Sequence, residues 1–168
     1  EVSEHEKLLK DLQNTFPHSI VKSTLYDINQ LLIIDYNCFE YVFDLIYSET
    51  YKATLEYQQG WKINPIGADK KFVEYLLARR GLYEVEFEGA KNDYIIIYFN
   101  ESEPTHAGKI LRKRVVSKWG KGLLLEHEIY EAPAIYGNEV KFFKNLFSDN
   151  CINTFIEYAE SNGIEFTT

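Results

Sequence analysis

Near its start the chain places Leu8, Leu9, Leu12 and Phe16 at helical spacing until Pro17, with Ser3 and Glu6 in the form of a capping box ahead of them. The spacing predicts an amphipathic first helix. Leu31-Leu32-Ile33-Ile34 is a short apolar run that enters a strand or packs as a buried turn; the turn-forming Asp35-Tyr36-Asn37 follows, and then Cys38. Val42, Leu45 and Ile46 next share a helical face with Phe39 and Phe43 beside it, which puts Cys38 at a helix N-terminus. Residues 48–67 show no clean period and read as a loop-rich connection able to wall a cleft. Asp69 is placed to cap a helix carrying Phe72, Val73, Leu76 and Leu77, ended by Arg79-Arg80 and Gly81.

Past Gly81 the period changes to two. Tyr83, Val85 and Phe87 alternate with Glu84, Glu86 and Glu88, the pattern of a half-buried strand that stops at Gly89. Residues 94–99 form a continuous apolar strand and 100–104 a turn. Residues 105–111 with 114–117 form a hairpin, and further short strands fall at 123–125 and 140–143. A last helix over 153–160 ends at Asn162-Gly163, with 164–166 extended. The expectation is an α+β fold in which helices pack on an antiparallel sheet, in a single domain over 1–168, because 168 residues bury most of their apolar surface around one core.

Composition narrows the function classes. With 45% hydrophobic and 26% charged residues the chain is an ordinary folding sequence, and its 13 Tyr and 11 Phe imply an aromatic core. A formal net charge of −8 repels a phosphate backbone, so nucleic acid is not an expected partner. The densest basic run, in 109–121, holds Lys109, Arg112, Lys113, Arg114, Lys118 and Lys121 between apolar residues and reads as the solvated face of a hairpin. No apolar run is long enough for a membrane span, and no signal peptide opens the chain. Two cysteines make neither a disulfide framework nor a zinc site, so a reducing, cytoplasmic compartment is the default. The sequence has no Met, so an upstream segment is expected to precede Glu1 in the native protein.

The candidate chemistry begins with Cys38, since a thiol at a helix N-terminus beside an imidazole becomes a nucleophile. His106 supplies the imidazole: Glu103-Pro104-Thr105-His106-Ala107-Gly108 sets it at the start of a strand, before two small residues that admit a close backbone or a substrate. Such a dyad requires sulfur and ring nitrogen within about 4 Å. Ser117 or Glu126 could orient the imidazole, the carboxylate being the stronger partner. A metal site from His106, His127 and Glu126 lacks the usual ligand spacing, and Cys151, in a helix with Phe155, reads as packing.

Helix-borne Cys followed by strand-borne His resembles the papain-like thiol hydrolases, and His106-Ala107-Gly108 is similar to the His-small-Gly strand of their bacterial cell-wall peptidase branch. Ser117-Lys118-Trp119-Gly120 is similar to the papain-like Asn-Ser-Trp-Gly segment, with Ser117 where the orienting Asn would stand and Trp119 shielding the bond. The chain also resembles an uncharacterised family of small bacterial proteins. The shared pieces are Asn37-Cys38, Thr105-His106-Ala107, Ser117-Lys118-Trp119-Gly120, Glu126-His127 and Tyr136-Gly137, covering about residues 35–144. The resemblance implies a papain-like fold, the Cys helix packed on the sheet that carries the histidine.

It further implies a thiol hydrolase, a peptidase or amidase, in which Cys38 attacks and His106 serves as base and then acid. Ser117 or Glu126 would orient the ring, and Asn37, Trp119 and His127 would lie around the substrate. The Cys38 N–H and a donor from the Tyr36-Asn37 turn would hold the oxyanion. The expected partner is a peptide or protein substrate, without cofactor or metal. The alternative is a binding or immunity-type module that keeps the fold without catalysis.

Overall fold

The computed structural model describes residues 4–23, 36–60, 65–120, 123–147 and 151–166. Among these residues run five α-helices and seven strands; the helices cover Glu4–Thr15 (α1), Cys38–Val42 (α2), Glu49–Gln59 (α3), Lys70–Ala78 (α4) and Ile152–Ser161 (α5). Seven strands, Ile20–Ser23 (β1), Leu82–Val85 (β2), Ile95–Asn100 (β3), Glu103–Leu111 (β4), Arg114–Lys118 (β5), Leu124–His127 (β6) and Glu139–Asn145 (β7), form one sheet in the order β1-β6-β5-β4-β3-β7-β2. Every pairing is antiparallel, so the fold is α+β with an antiparallel sheet. Ser3, the 31–34 apolar run and residues 61–64 lie outside the described residues.

Alternation along the central strands sorts side chains onto two faces. Ile95, Ile97, Phe99 and Ala107 meet the helices, where Phe43, Phe72 and Phe155 interlock edge to face: Phe72 lies 5.9 Å from Phe43 at 82° and 5.5 Å from Phe155 at 79°. The other face carries Ile96, Tyr98, Ile110, Val115 and Phe142, covered by Ala90, Ile129 and Tyr136 from connecting segments. The Tyr98 hydroxyl donates to the Ile129 carbonyl at 2.5 Å, fastening that cover to the sheet. His106, opposite Tyr98 in the ladder, belongs to this second face, whereas its neighbour Ala107 faces the helices.

Two hairpins bring β3, β4 and β5 together without glycine. Glu101 and Ser102 (φ 49° and 68°), and Arg112 and Lys113 (φ 50° and 62°), take the left-handed conformations of tight two-residue turns. The second turn is held by its own side chains. Asn92 accepts the Arg112 N–H at 2.8 Å, and the Lys113 ammonium donates to the carbonyls of Phe87, Glu88 and Ala90.

Several sequence expectations need correction. Residues 49–59 are helical, not loop: Ser48 caps them by accepting the Tyr51 N–H, and the buried stripe is Tyr51, Thr54 and Gln58. Gln58, fully buried, donates to the Ile66 carbonyl at 3.0 Å and accepts its N–H at 2.6 Å, pinning the following connection to the helix. The Cys38 helix stops at Val42, because Asp44 turns left-handed (φ 56°) and Leu45–Tyr47 continue as a 3₁₀ turn. β2 is an edge strand whose Tyr83 is 62% exposed, so its alternation marks no buried aromatic face. Nor is the basic run a solvated face throughout, since Lys118 is 1% exposed with its ammonium 4.7 Å from the Tyr36 ring centroid. Lys109 pairs with Asp44. No helix among the described residues is long and apolar enough to cross a membrane.

Candidate functional site

α2 begins where it does because Asn37 caps it. The Asn37 Oδ1 accepts the Glu40 N–H at 2.8 Å and the Glu40 carboxylate accepts the Asn37 N–H at 3.0 Å, a reciprocal capping box. The Asn37 amide donates to the Ala68 carbonyl at 2.8 Å, tying the helix start to the segment before α4. Cys38 is thereby fixed as the first helical residue.

The sheet opens to receive it. β4 and β5 are paired from Lys109 to Leu111 only, so Ala107 has no β5 residue opposite, and its N–H faces the Cys38 sulfur. Gly108 makes the neighbouring close approach possible: a Cβ there would lie 2.4 Å from a Val115 methyl and 3.0 Å from the Val116 carbonyl oxygen. Cys38 and His106 consequently line one cleft of about 390 Å³, with Tyr36, Glu40, Thr105 and Tyr136 among its walls.

Burial governs the electrostatics. Cys38 is 9% exposed and His106 1%. Burial pushes the Cys38 thiol up to about 12, against the opposing pull of the Ala107, Cys38 and Phe39 N–H groups. Burial, together with His127, pushes the His106 imidazole down to about 3. Both groups are neutral at pH 7. Among the described residues the His106 Nε2 has no hydrogen-bond partner, and no hydrogen bond joins its ring to Cys38.

Stacking holds the ring instead. Tyr136 lies parallel to His106, centroids 3.8 Å apart at 3°, and Tyr98 sits at 5.5 Å and 51°. Tyr136 is itself anchored, because the Thr105 hydroxyl reaches its carbonyl at 2.5 Å. Gly137, at φ 88°, lets the chain press against β3: a Cβ there would lie 2.1 Å from the Phe99 carbonyl oxygen. Burial, then the charge that Cys38 would carry, push the Tyr136 hydroxyl up to about 12, so it stays a donor.

The proposed orienting residues serve other partners. Ser117 Oγ lies 2.7 Å from His127 Nε2 and accepts the Trp119 indole N–H at 2.9 Å, while His127 Nδ1 lies 2.7 Å from the Glu128 carbonyl oxygen. The consistent tautomer carries its proton on Nδ1, donates to that carbonyl, and accepts from the Ser117 hydroxyl. Ser117 therefore orients His127, not His106. Glu126 and His127, adjacent on β6, point to opposite faces, so no cluster forms from His106, His127 and Glu126. Glu126 is held by Arg114 at 3.2 Å and by Lys22 and Arg112 at 3.5 and 3.6 Å. Burial raises its carboxyl, but Lys22 and Arg114 outweigh that and leave it lowered.

Asn37 reaches the cleft wall with its side chain spent on capping, whereas Trp119 packs edge-on against Phe16 at 4.9 Å and, like His127, lies outside the cleft. The Asn37 N–H, spent on Glu40, is not available to an oxyanion. Tyr136, Glu40 and Thr105 are cleft residues the sequence reading did not assign. The sequence signal for Tyr136 and Thr105 lies only in the motif pieces Tyr136-Gly137 and Thr105-His106-Ala107, and Glu40 has none.

No curated protein and no solved structure was found to match the chain. Residues 33–144, which carry Cys38, His106, Ser117, His127 and Tyr136, match a family described as a domain of unknown function, and the chain belongs to that family, DUF7689.

Proposed function

We propose that the cleft is the centre of a papain-like thiol hydrolase acting on amide or ester bonds, with Cys38 as nucleophile and His106 as base and acid. The observation that supports this is the convergence of a helix-initial cysteine and a strand-borne histidine, far apart in the chain, on one cleft. The neutral resting pair sets the order of events. As the sulfur attacks the substrate carbonyl, a C–S bond forms, the thiol proton passes to His106, and the carbonyl electrons move to oxygen, where the protonated Tyr136 hydroxyl donates. The imidazolium then protonates the leaving amine or alcohol as its bond to carbon breaks. Water, deprotonated by His106, hydrolyses the thioester and restores the thiol. Stacking by Tyr136 takes the place of a third, hydrogen-bonding residue.

The acid–base state favours a second reading, a binding module without catalysis, because a thiol at about 12 beside an imidazole at about 3 holds no resting thiolate. A pool of peptide vinyl sulfones, followed by intact mass and peptide mapping, separates the two. Hydrolysis predicts modification of Cys38 and not Cys151, lost in His106→Ala. Equal, slow modification of both thiols would leave only the binding module.

A further inference from the structure

The Cys38 cleft shares its walls with two further hollows. Through Thr105 and Tyr136 it shares lining with a second hollow of about 370 Å³ beside Phe39 and Ile135. Through Tyr36 and Glu40 it shares lining with a third of about 530 Å³ along α3. The two outer arms differ in charge. In the first, Lys70 and Glu103 pair at 3.1 Å and offset each other. The α3 arm is lined by Glu40, Glu49 and Glu56, and among the described residues its one basic lining side chain, Lys52, lies 3.3 Å from Glu49. Glu56 has no ion-pair partner among the described residues. The floor beneath these carboxylates is apolar, made by Leu45, Ile46 and Leu55.

We infer that the groove takes an extended peptide that places a lysine or arginine side chain in the α3 arm. The long aliphatic stem of such a residue suits the Leu45, Ile46 and Leu55 floor, and its charged head meets the carboxylates at the rim. Three hollows that share walls through Tyr36, Glu40, Thr105 and Tyr136 suit a chain longer than a single side chain, which argues for a peptide over a free polyamine. The inference deepens the proposed function by naming what that site takes.

The test uses the full chain as Cys38→Ala, so that binding is read without turnover, against an array of short alanine-based peptides carrying Lys, Arg, Glu or Leu at each position in turn. Expected is selection of Lys and Arg at one position, weakened by salt. The exposed double variant Glu49→Gln/Glu56→Gln should lower binding of the basic peptides about fivefold and leave the Leu peptides unchanged. Glu160→Gln, on α5 and outside the lining of the arm, serves as the control. No bound peptide, indifference to charge, or displacement by spermidine as strong as by the basic peptide itself would each overturn the inference. Basic peptides that bind but are never cleaved by the unmodified protein would sink hydrolysis while upholding the groove. Cleavage without a basic preference would do the reverse.

Discussion

Among the described residues two buried imidazoles sit on the same face of one sheet, and they are treated in opposite ways. His127 has a partner on each nitrogen, Ser117 on one side and the Glu128 carbonyl on the other, with the Trp119 indole completing the chain. His106 is held by ring stacking, has an Nε2 with no partner among the described residues, and lines a cleft with a cysteine. A buried histidine whose hydrogen-bonding capacity is spent is part of the architecture. One left with an orphan nitrogen beside a thiol carries a desolvation cost that local structure alone does not repay, and such a cost is a reason to look for chemistry there.

The acid limb of stability should separate the two most strongly. His106 titrates at about 3 when folded against an ordinary 6.5, so its neutral form stabilises the fold above pH 6.5. That stability is lost as pH falls toward the folded value, by about 4 kcal/mol at pH near 3.5. Urea unfolding of His106→Gln should show a flatter acid limb, and an unchanged slope would break the assignment. At neutral pH the order reverses: His127→Ala strands the Ser117 hydroxyl proton and the Glu128 carbonyl and should cost about 3 kcal/mol. His106→Ala, which removes an orphan nitrogen at a cleft wall, should cost about half as much, and equal losses would erase the distinction.

The thiol gives the alkaline counterpart. Because burial raises Cys38 from 9.0 to about 12, its stabilisation is complete below pH 9 and is lost as pH rises toward the folded value. Relative to Cys38→Ala the parent should lose about 2 kcal/mol by pH near 10.5. Smallest is Ser117→Ala, expected to cost about 1 kcal/mol in stability and to leave Cys38 reactivity where it was. A loss of Cys38 reactivity in that variant would restore Ser117 to the role the sequence first suggested.

Much of the fold could be read from period alone, because α4, α5 and the strands of the sheet centre bury apolar residues at regular spacing. α3 could not: two of its buried positions are Thr54 and Gln58, polar residues satisfied by local carbonyls and by Ile66, so the buried stripe has no hydrophobic signature. Cys38 and His106 stood out by residue type and local context. Their surroundings did not, since strand parity and register decide whether Ser117 meets His106 or His127, and a ladder that stops at Lys109 leaves no mark on composition. Lys118 is illegible for a related reason: a lysine laid on a buried tyrosine has the same letter as one in solvent.

The central claim, that His106 and not His127 serves Cys38, is tested most directly by the rate at which a peptide vinyl sulfone modifies Cys38 in His106→Gln and in His127→Gln, each confirmed folded. The account predicts that the first substitution lowers the rate at least about tenfold, the scale of general-base assistance to a thiol, and that the second leaves it within about twofold. Equal effects of the two substitutions, or a rate indifferent to His106, would contradict it.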